Sequence, residues 1–197
     1  MGRDFGERPA LEGVDVELPA GGTLAVLGPN GSGKTTLLRI LAGLLRPTRG
    51  EASILGCRLP GEVWRLRGRV GLLSHRPLLY RDLTPRENLV LSARLNGIWG
   101  EPTKARMGDL LDRVGMASRA DDKVAELSAG MAQRVAACMA VLHEPELLLL
   151  DEPDSHLDVD ARDAVAGVLA SSPDRTRVIV SHDRDRALGQ ADMALEL

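Results

Sequence analysis

Gly28-Pro29-Asn30-Gly31-Ser32-Gly33-Lys34-Thr35 follows the apolar run Thr23-Leu24-Ala25-Val26-Leu27 and precedes a helical pattern from Thr36 to Leu45. The string G-x-x-x-x-G-K-[ST] set between a buried strand and a helix is what a phosphate-binding loop requires. Glycines let the backbone curl until its N–H groups point inward at an anion. The N-terminus of the following helix adds a partial positive charge of about half a unit. In such a loop the backbone from Gly28 to Gly33, with Thr36 behind it, lies along a polyphosphate. Lys34 reaches the β- and γ-phosphates, and Thr35 offers its hydroxyl to Mg²⁺.

The rest of the chain fits one α/β domain. Its 197 residues are enough to bury roughly 70% of the unfolded surface. The formal charge is -3, and two Trp, one Tyr and one Phe are all its aromatic residues. Neither an electrostatic footprint for nucleic acid nor a stacking platform for bases is expected, and the core must be aliphatic. Cys57 and Cys138 lack metal-ligand spacing and read as small buried apolar residues of a reducing compartment. The opening stretch from Met1 to Arg8 has no apolar signal-peptide core, so a cytoplasmic location is expected. Leu147 to Leu150 falls far short of the ~20 residues that span a bilayer. A role at a membrane therefore calls for a partner.

Periodicity places the elements. Val14 to Leu18 alternates as a strand at a sheet edge, and Ala52 to Leu55 and Arg69 to Leu73 read as two further strands. The arginines at 65, 67 and 69 read as a solvated face. At Thr84 the period changes, with Thr84 as N-cap, Pro85 at N1 and Glu87 at N3 of a capped helix. Further helices are expected over Lys104 to Val114 and Ala129 to His143. Glu146 to Leu150 returns to buried-strand character, followed by a helix from Val159 to Leu169, a strand from Arg177 to Val180, a short helix, and a last apolar stretch from Met193 to Leu197. The organisation is a core of about 1–81 and 146–197 interrupted by helices over about 82–145.

Two strand ends carry further chemistry. The run from Leu147 to Leu150 ends in Asp151 and Glu152, and in open α/β sheets ligands gather at the carboxyl ends of strands. Asp151 is placed to hold Mg²⁺, and Glu152 to accept a proton from an attacking water. Val178-Ile179-Val180 leads to Ser181-His182, whose imidazole can hydrogen-bond a γ-phosphate and that water. Leu127-Ser128-Ala129-Gly130-Met131 opens a helix with Ser128 as its N-cap.

On these motifs the chain resembles, over nearly its whole length, the ATP-binding subunits of ABC transporters. Their signature is Leu-Ser-Gly-Gly-Gln. Ala129 and Met131 replace its third and fifth residues, and Ser128 and Gly130 are kept. The resemblance implies a P-loop NTPase (RecA-like) core with an antiparallel β edge and an inserted α-helical subdomain. It implies ATP with Mg²⁺ as cofactor, hydrolysis, and a head-to-tail dimer in which Ser128, Ala129 and Gly130 meet ATP held by a second chain. It further implies a polytopic membrane partner and a peripheral place on the cytoplasmic face of the inner membrane. Ser155-His156-Leu157-Asp158 matches the D-loop, and Phe5 the aromatic residue that stacks on adenine.

Two departures matter. Where the family has a Gln that contacts Mg²⁺ or its water, the chain has His75, in Leu73-Ser74-His75-Arg76-Pro77. Imidazole suits hard Mg²⁺ poorly, so His75 is expected to act through water or a partner. His75, the segment Leu83-Thr84-Pro85-Arg86-Glu87-Asn88-Leu89 and Leu142-His143-Glu144-Pro145 resemble the haem-exporter ATPases (CcmA) of cytochrome c biogenesis. Secondly, Met1 lies so close to Phe5 that most of the family's opening strand is missing. Either the fold tolerates a shorter edge or the true start lies upstream. Exporters of drugs, lipids or polysaccharides, and a soluble ATPase of iron–sulfur assembly, remain alternatives.

Overall fold

The computed structural model describes residues 1–6, 8–170 and 174–197. They group into two compact units. One takes the described residues of Met1–Leu72, Glu146–Glu152 and Ser171–Leu197, the other Leu73–Pro145 and Pro153–Ala170.

In the first unit, Arg3–Phe5 (β1) pairs antiparallel with Arg8–Leu11 (β2), Phe5 opposite Arg8. Thr23–Leu27 (β3) leads through the glycine-rich loop into Lys34–Leu41 (α1). Ala52–Ile54 (β4) and Cys57–Leu59 (β5) form a second antiparallel ribbon, and Val70–Leu73 (β6) follows. Leu147–Asp151 (β7), Thr176–Val180 (β8), Arg184–Leu188 (α6) and Met193–Glu196 (β9) complete the set. The five-stranded sheet runs β6-β7-β8-β3-β9. The pairs β3 with β8, β3 with β9 and β7 with β8 are parallel, with Leu24 beside Val178 and Asp151 beside Val180.

Near-continuous apolar strands suit a parallel sheet because both of its faces are covered. The period of two sorts β3 accordingly. Leu24 and Val26 join Leu37, Leu38 and Ile40 of α1, with Leu149 and Val180, in the larger cluster. Ala25 and Leu27 meet Ala187 of α6 in the smaller one. Since these strands run the same way, the segments after Leu27, Asp151 and Val180 leave the sheet at one edge.

One expected strand is not formed. Val14 to Leu18 alternates, but the ladder of this region is made by β1 and β2. Val14 is instead tied to the chain's first residue. Its N–H donates to the Met1 carbonyl at 3.0 Å, and the Met1 ammonium donates to the Val14 carbonyl at 2.6 Å. Val14 thus exchanges both of its backbone bonds with Met1 and joins no ladder with β1 or β2.

The second unit is helical: Pro85–Leu95 (α2), Glu101–Arg113 (α3), Ala129–Val141 (α4) and Val159–Leu169 (α5). The capping box at Thr84 is complete, with the Glu87 N–H donating to Thr84 Oγ1 at 3.2 Å and the Thr84 N–H to Glu87 Oε2 at 2.8 Å. Leu89, Met107, Leu110, Leu111, Val135, Cys138 and Val165 are buried as α4 packs against its three neighbours. Burial pushes the Cys138 thiol up to about 12, so it stays protonated and unreactive. Asn88 is buried, and its amide bonds both backbone groups of Tyr80 and the Thr84 carbonyl, which fixes the segment ahead of α2. The core is aliphatic as composition requires. Phe5, Trp64, Tyr80 and Trp99 are each at least half exposed.

Candidate functional site

The glycine-rich loop is held by its own lysine. Lys34 is 7% exposed, and its Nζ donates to the carbonyls of Gly28 and Pro29 at 2.8 Å each. The loop thus closes on an ammonium, and the Ser32 N–H also donates within the turn, to the Pro29 carbonyl at 3.3 Å. Gly33 stands at the N-cap of α1 with φ 100, where a β-carbon would run into the Ala10 carbonyl. No other residue fits that turn. Ser32 Oγ is buried with no hydrogen-bond partner among the described residues, a donor in waiting within the loop.

At the end of β7, Asp151 is buried and its Oδ2 accepts from the Thr35 hydroxyl at 3.0 Å. Two hard oxygens so close fit the needs of Mg²⁺, which takes one or two protein ligands and keeps water and phosphate for the rest. No group of three or more His, Cys, Asp or Glu side chains suited to a metal occurs among the described residues. Glu152 has left-handed backbone, φ 54, and its N–H donates to the Val180 carbonyl at 2.9 Å. The side chain is mostly buried and pairs with His182 Nε2. A non-glycine residue held at positive φ beside the buried Asp151 is the kind of strain that sheet anchoring supports at functional sites. The His182 imidazole fixes the orientation of the Glu152 carboxylate. Phe5 is exposed, and the Arg3 guanidinium lies 4.8 Å from its ring centroid, leaving one ring face for a base.

The helical unit assembles a second group. Ser128 caps α4, accepting from the Met131 N–H at 3.2 Å. At Gly130 a β-carbon would sit 2.6 Å from the His156 carbonyl, so only glycine lets α4 start against the segment 155–158. Asp158 caps α5 through the Ala161 N–H at 2.8 Å and lies 3.6 Å from the Arg134 guanidinium. His75 is exposed, its ring centroid 6.2 Å from that of His156. Lys34, Thr35, Asp151, Glu152 and His182 therefore gather in one unit, and His75, Ser128, Ala129, Gly130 and Asp158 in the other. The partnership of His156 with His75 and that of Arg134 with Asp158 were not foreseen. The signal for the latter was an arginine in the second turn of α4, legible only once α5 is known to lie beside it.

The ABC transporter family profile matches residues 11–155. A daunorubicin resistance ATP-binding protein of Streptomyces coeruleorubidus is 39% identical over 158 residues, 80% of this chain and 50% of that protein. A sulfate/thiosulfate import ATP-binding protein of Synechococcus elongatus is 35% identical over 98% of this chain and 56% of its own length. A Nod factor export ATP-binding protein of Burkholderia orbicola is 35% identical over 93% and 61%. Among solved structures, the ATP-binding subunit of an ABC transporter superposes with TM-score 0.91 at 29% identity, covering 100% of this chain and 82% of that one. A dimeric ATP-binding cassette in a post-hydrolysis state with ADP and Pi gives 0.88 at 27%, covering 100% and 90%. The chain thus spans little more than half the length of the curated relatives it matches. With the fold of an ABC ATPase cassette and that match over most of its length, the chain belongs to the ABC transporter family.

Proposed function

We propose that the chain is the ATP-binding and ATP-hydrolysing subunit of an ABC transporter, one domain over 1–197 with a helical subdomain at about 82–145. The observation that carries this reading is the gathering of Lys34, the Thr35–Asp151 pair and the Glu152–His182 pair at one sheet edge. The loop amides and Lys34 bind the β- and γ-phosphates, with Asn30, Gly31, Ser32 and Thr36 along them and Phe5 against the adenine. Thr35 and Asp151 hold Mg²⁺, which when bound neutralises charge on the phosphates. Glu152 takes the proton of the attacking water, and His182 steadies that carboxylate and donates toward the γ-phosphate.

Ser128, Ala129 and Gly130 act on ATP held by a second chain, with Asp158 in the segment that links the two sites. The family match and the likeness to a dimeric cassette support that reading. No helix among the described residues is long and apolar enough to cross a membrane. We place the chain on the cytoplasmic face of the inner membrane, bound to a polytopic subunit. For cargo, haem in cytochrome c biogenesis rests on His75 and the 83–89 segment. The relatives are named for daunorubicin resistance, Nod factor export and sulfate/thiosulfate import, which support the drug-export alternative and lend haem nothing.

The test is turnover and company. Glu152→Gln is expected to slow ATP hydrolysis by about 10² to 10⁴ fold while ATP still binds. Unchanged hydrolysis removes Glu152 as the base. Co-purification of the full chain with a polytopic membrane protein supports transport, and recovery only in a soluble complex favours the iron–sulfur assembly alternative.

A further inference from the structure

Phe5 is half exposed, yet the hairpin that carries it is braced from both sides. On one side β2 meets the phosphate loop, where Gly33 faces the Ala10 carbonyl with no room for a β-carbon. On the other, the start of the chain is tied to the segment that follows α1. The Gly2 N–H donates to the Arg49 carbonyl at 2.9 Å, the Asp4 N–H to Thr48 Oγ1 at 3.0 Å, and Arg3 Nη1 to the Arg46 carbonyl at 3.0 Å. The backbone at Phe5 is thereby fixed relative to the loop. A half-exposed ring still needs something against it to hold its torsions.

Arg3 supplies that contact. Its guanidinium carbon lies 4.8 Å from the Phe5 ring centroid, within cation–π range. The ladder shifts register between Arg3 and Asp4, an irregularity of the kind that re-aims a side chain. Arg3 Nε is buried without a hydrogen-bond partner among the described residues, and the guanidinium is held by its Nη1 bond and by the ring. Asp4, the carboxylate next along the strand, is taken by Arg49 at 2.7 Å and by the Thr48 hydroxyl at 3.0 Å. A cation on one face of a ring draws π electrons to that side, which makes the opposite face the better seat for an electron-rich base.

We propose that Arg3 is a positioning residue for the base of the bound nucleotide: it backs Phe5 from one face, so that guanidinium, ring and base form a layered stack. This inference rests on the reading of Phe5 as the seat of adenine and adds the group that holds the seat. Arginine suits the place because its planar, weakly hydrated guanidinium can lie on a ring while one N–H is spent on the Arg46 carbonyl. With the ring already ordered, less is lost when the base arrives.

The test is a double-mutant cycle on the full chain, read by calorimetric titration with MgADP, which is not turned over. Phe5→Ala is expected to weaken ADP binding about tenfold. Arg3→Ala should weaken it about two- to fivefold in the parent and cost nothing further in Phe5→Ala. A residue that only steadied the hairpin would cost the same in both backgrounds. Arg3→Gln, which keeps an amide donor for the Arg46 carbonyl and lacks the charge, should lose as much as Arg3→Ala. Equal loss in both backgrounds, full recovery in Arg3→Gln, or no loss on Arg3→Ala while Phe5→Ala still weakens binding, each overturns the backing role and leaves the stack on Phe5 standing. Unchanged affinity in Phe5→Ala removes Phe5 as the seat of the base, and the role of Arg3 falls with it.

Discussion

The phosphate loop of the sheet unit and the start of α4 in the helical unit are both read as phosphate contacts, yet they are built in opposite ways. In the loop, the ammonium of Lys34 is buried and already bonded to two carbonyls of the turn it closes. Asp151 and Thr35 likewise hold each other. At α4, the Ser128 hydroxyl is used on its own helix, and the neighbouring His75, Arg76, Arg81 and His156 are exposed. In the first region Lys34, Thr35 and Asp151 are already bonded within the site, and Ser32 Oγ is the buried group of the loop still without a partner among the described residues. The second presents charge to solvent and depends on what it meets. The preorganised side lends itself to chemistry, the open side to sensing a partner.

The largest effect that sharpens this contrast is expected at Lys34. Lys34→Ala removes charge-assisted bonds worth about 1.5–3 kcal/mol each, so nucleotide affinity by calorimetry should fall at least tenfold. The stability of the nucleotide-free protein should fall too, since two loop carbonyls lose their donor. A variant with weaker binding and unchanged stability breaks the claim that the lysine organises the empty loop. Next comes Gly130→Ala, whose methyl meets a backbone carbonyl that cannot swing away. A loss of about 1–3 kcal/mol in denaturant unfolding is expected, although Ala is the better helix former. No loss would mean that α4 shifts freely on the segment before α5.

The smallest effect concerns the base of the sheet, where Glu146 takes two bonds from Arg69 at 2.6 and 2.8 Å. Hydrogen bonding to Arg69 holds the Glu146 carboxyl below the usual glutamate value. A carboxylate with a depressed folded pKa stabilises above the unfolded value of about 4.3, and that gain is lost as pH falls through the folded value. Glu146 is more than half exposed, so screening keeps the effect under about 1 kcal/mol. Unfolding of Glu146→Gln between pH 7 and pH 3 should therefore show a slightly shallower acid slope than the parent.

Much of this was legible in the residues. The strands β3 and β7 are runs so apolar that only burial on both faces suits them, and the phosphate loop is a local string with its flanks attached. The caps at Thr84 and Ser128 were equally readable, since a cap involves residues three apart. What could not be read depends on distant pairing. Val14 to Leu18 has a strand's alternation, and its fate was decided by Met1 bonding across the turn. The ribbon strand Cys57–Leu59 is too short to show a period. His182 reaching Glu152, and His156 facing His75, join residues from different elements, so no spacing along the chain announces them.

The outward placement of every aromatic ring has a practical result for spectroscopy. Emission from Trp64 and Trp99 comes from indoles that already see water in the native state, so melting of the core should change their colour little. Trp99, flanked by Arg94 at 5.0 Å and Lys104 at 5.9 Å from its ring, would instead brighten or shift when something covers it. Intrinsic fluorescence of this protein is therefore a poor thermometer of folding and a good reporter of docking.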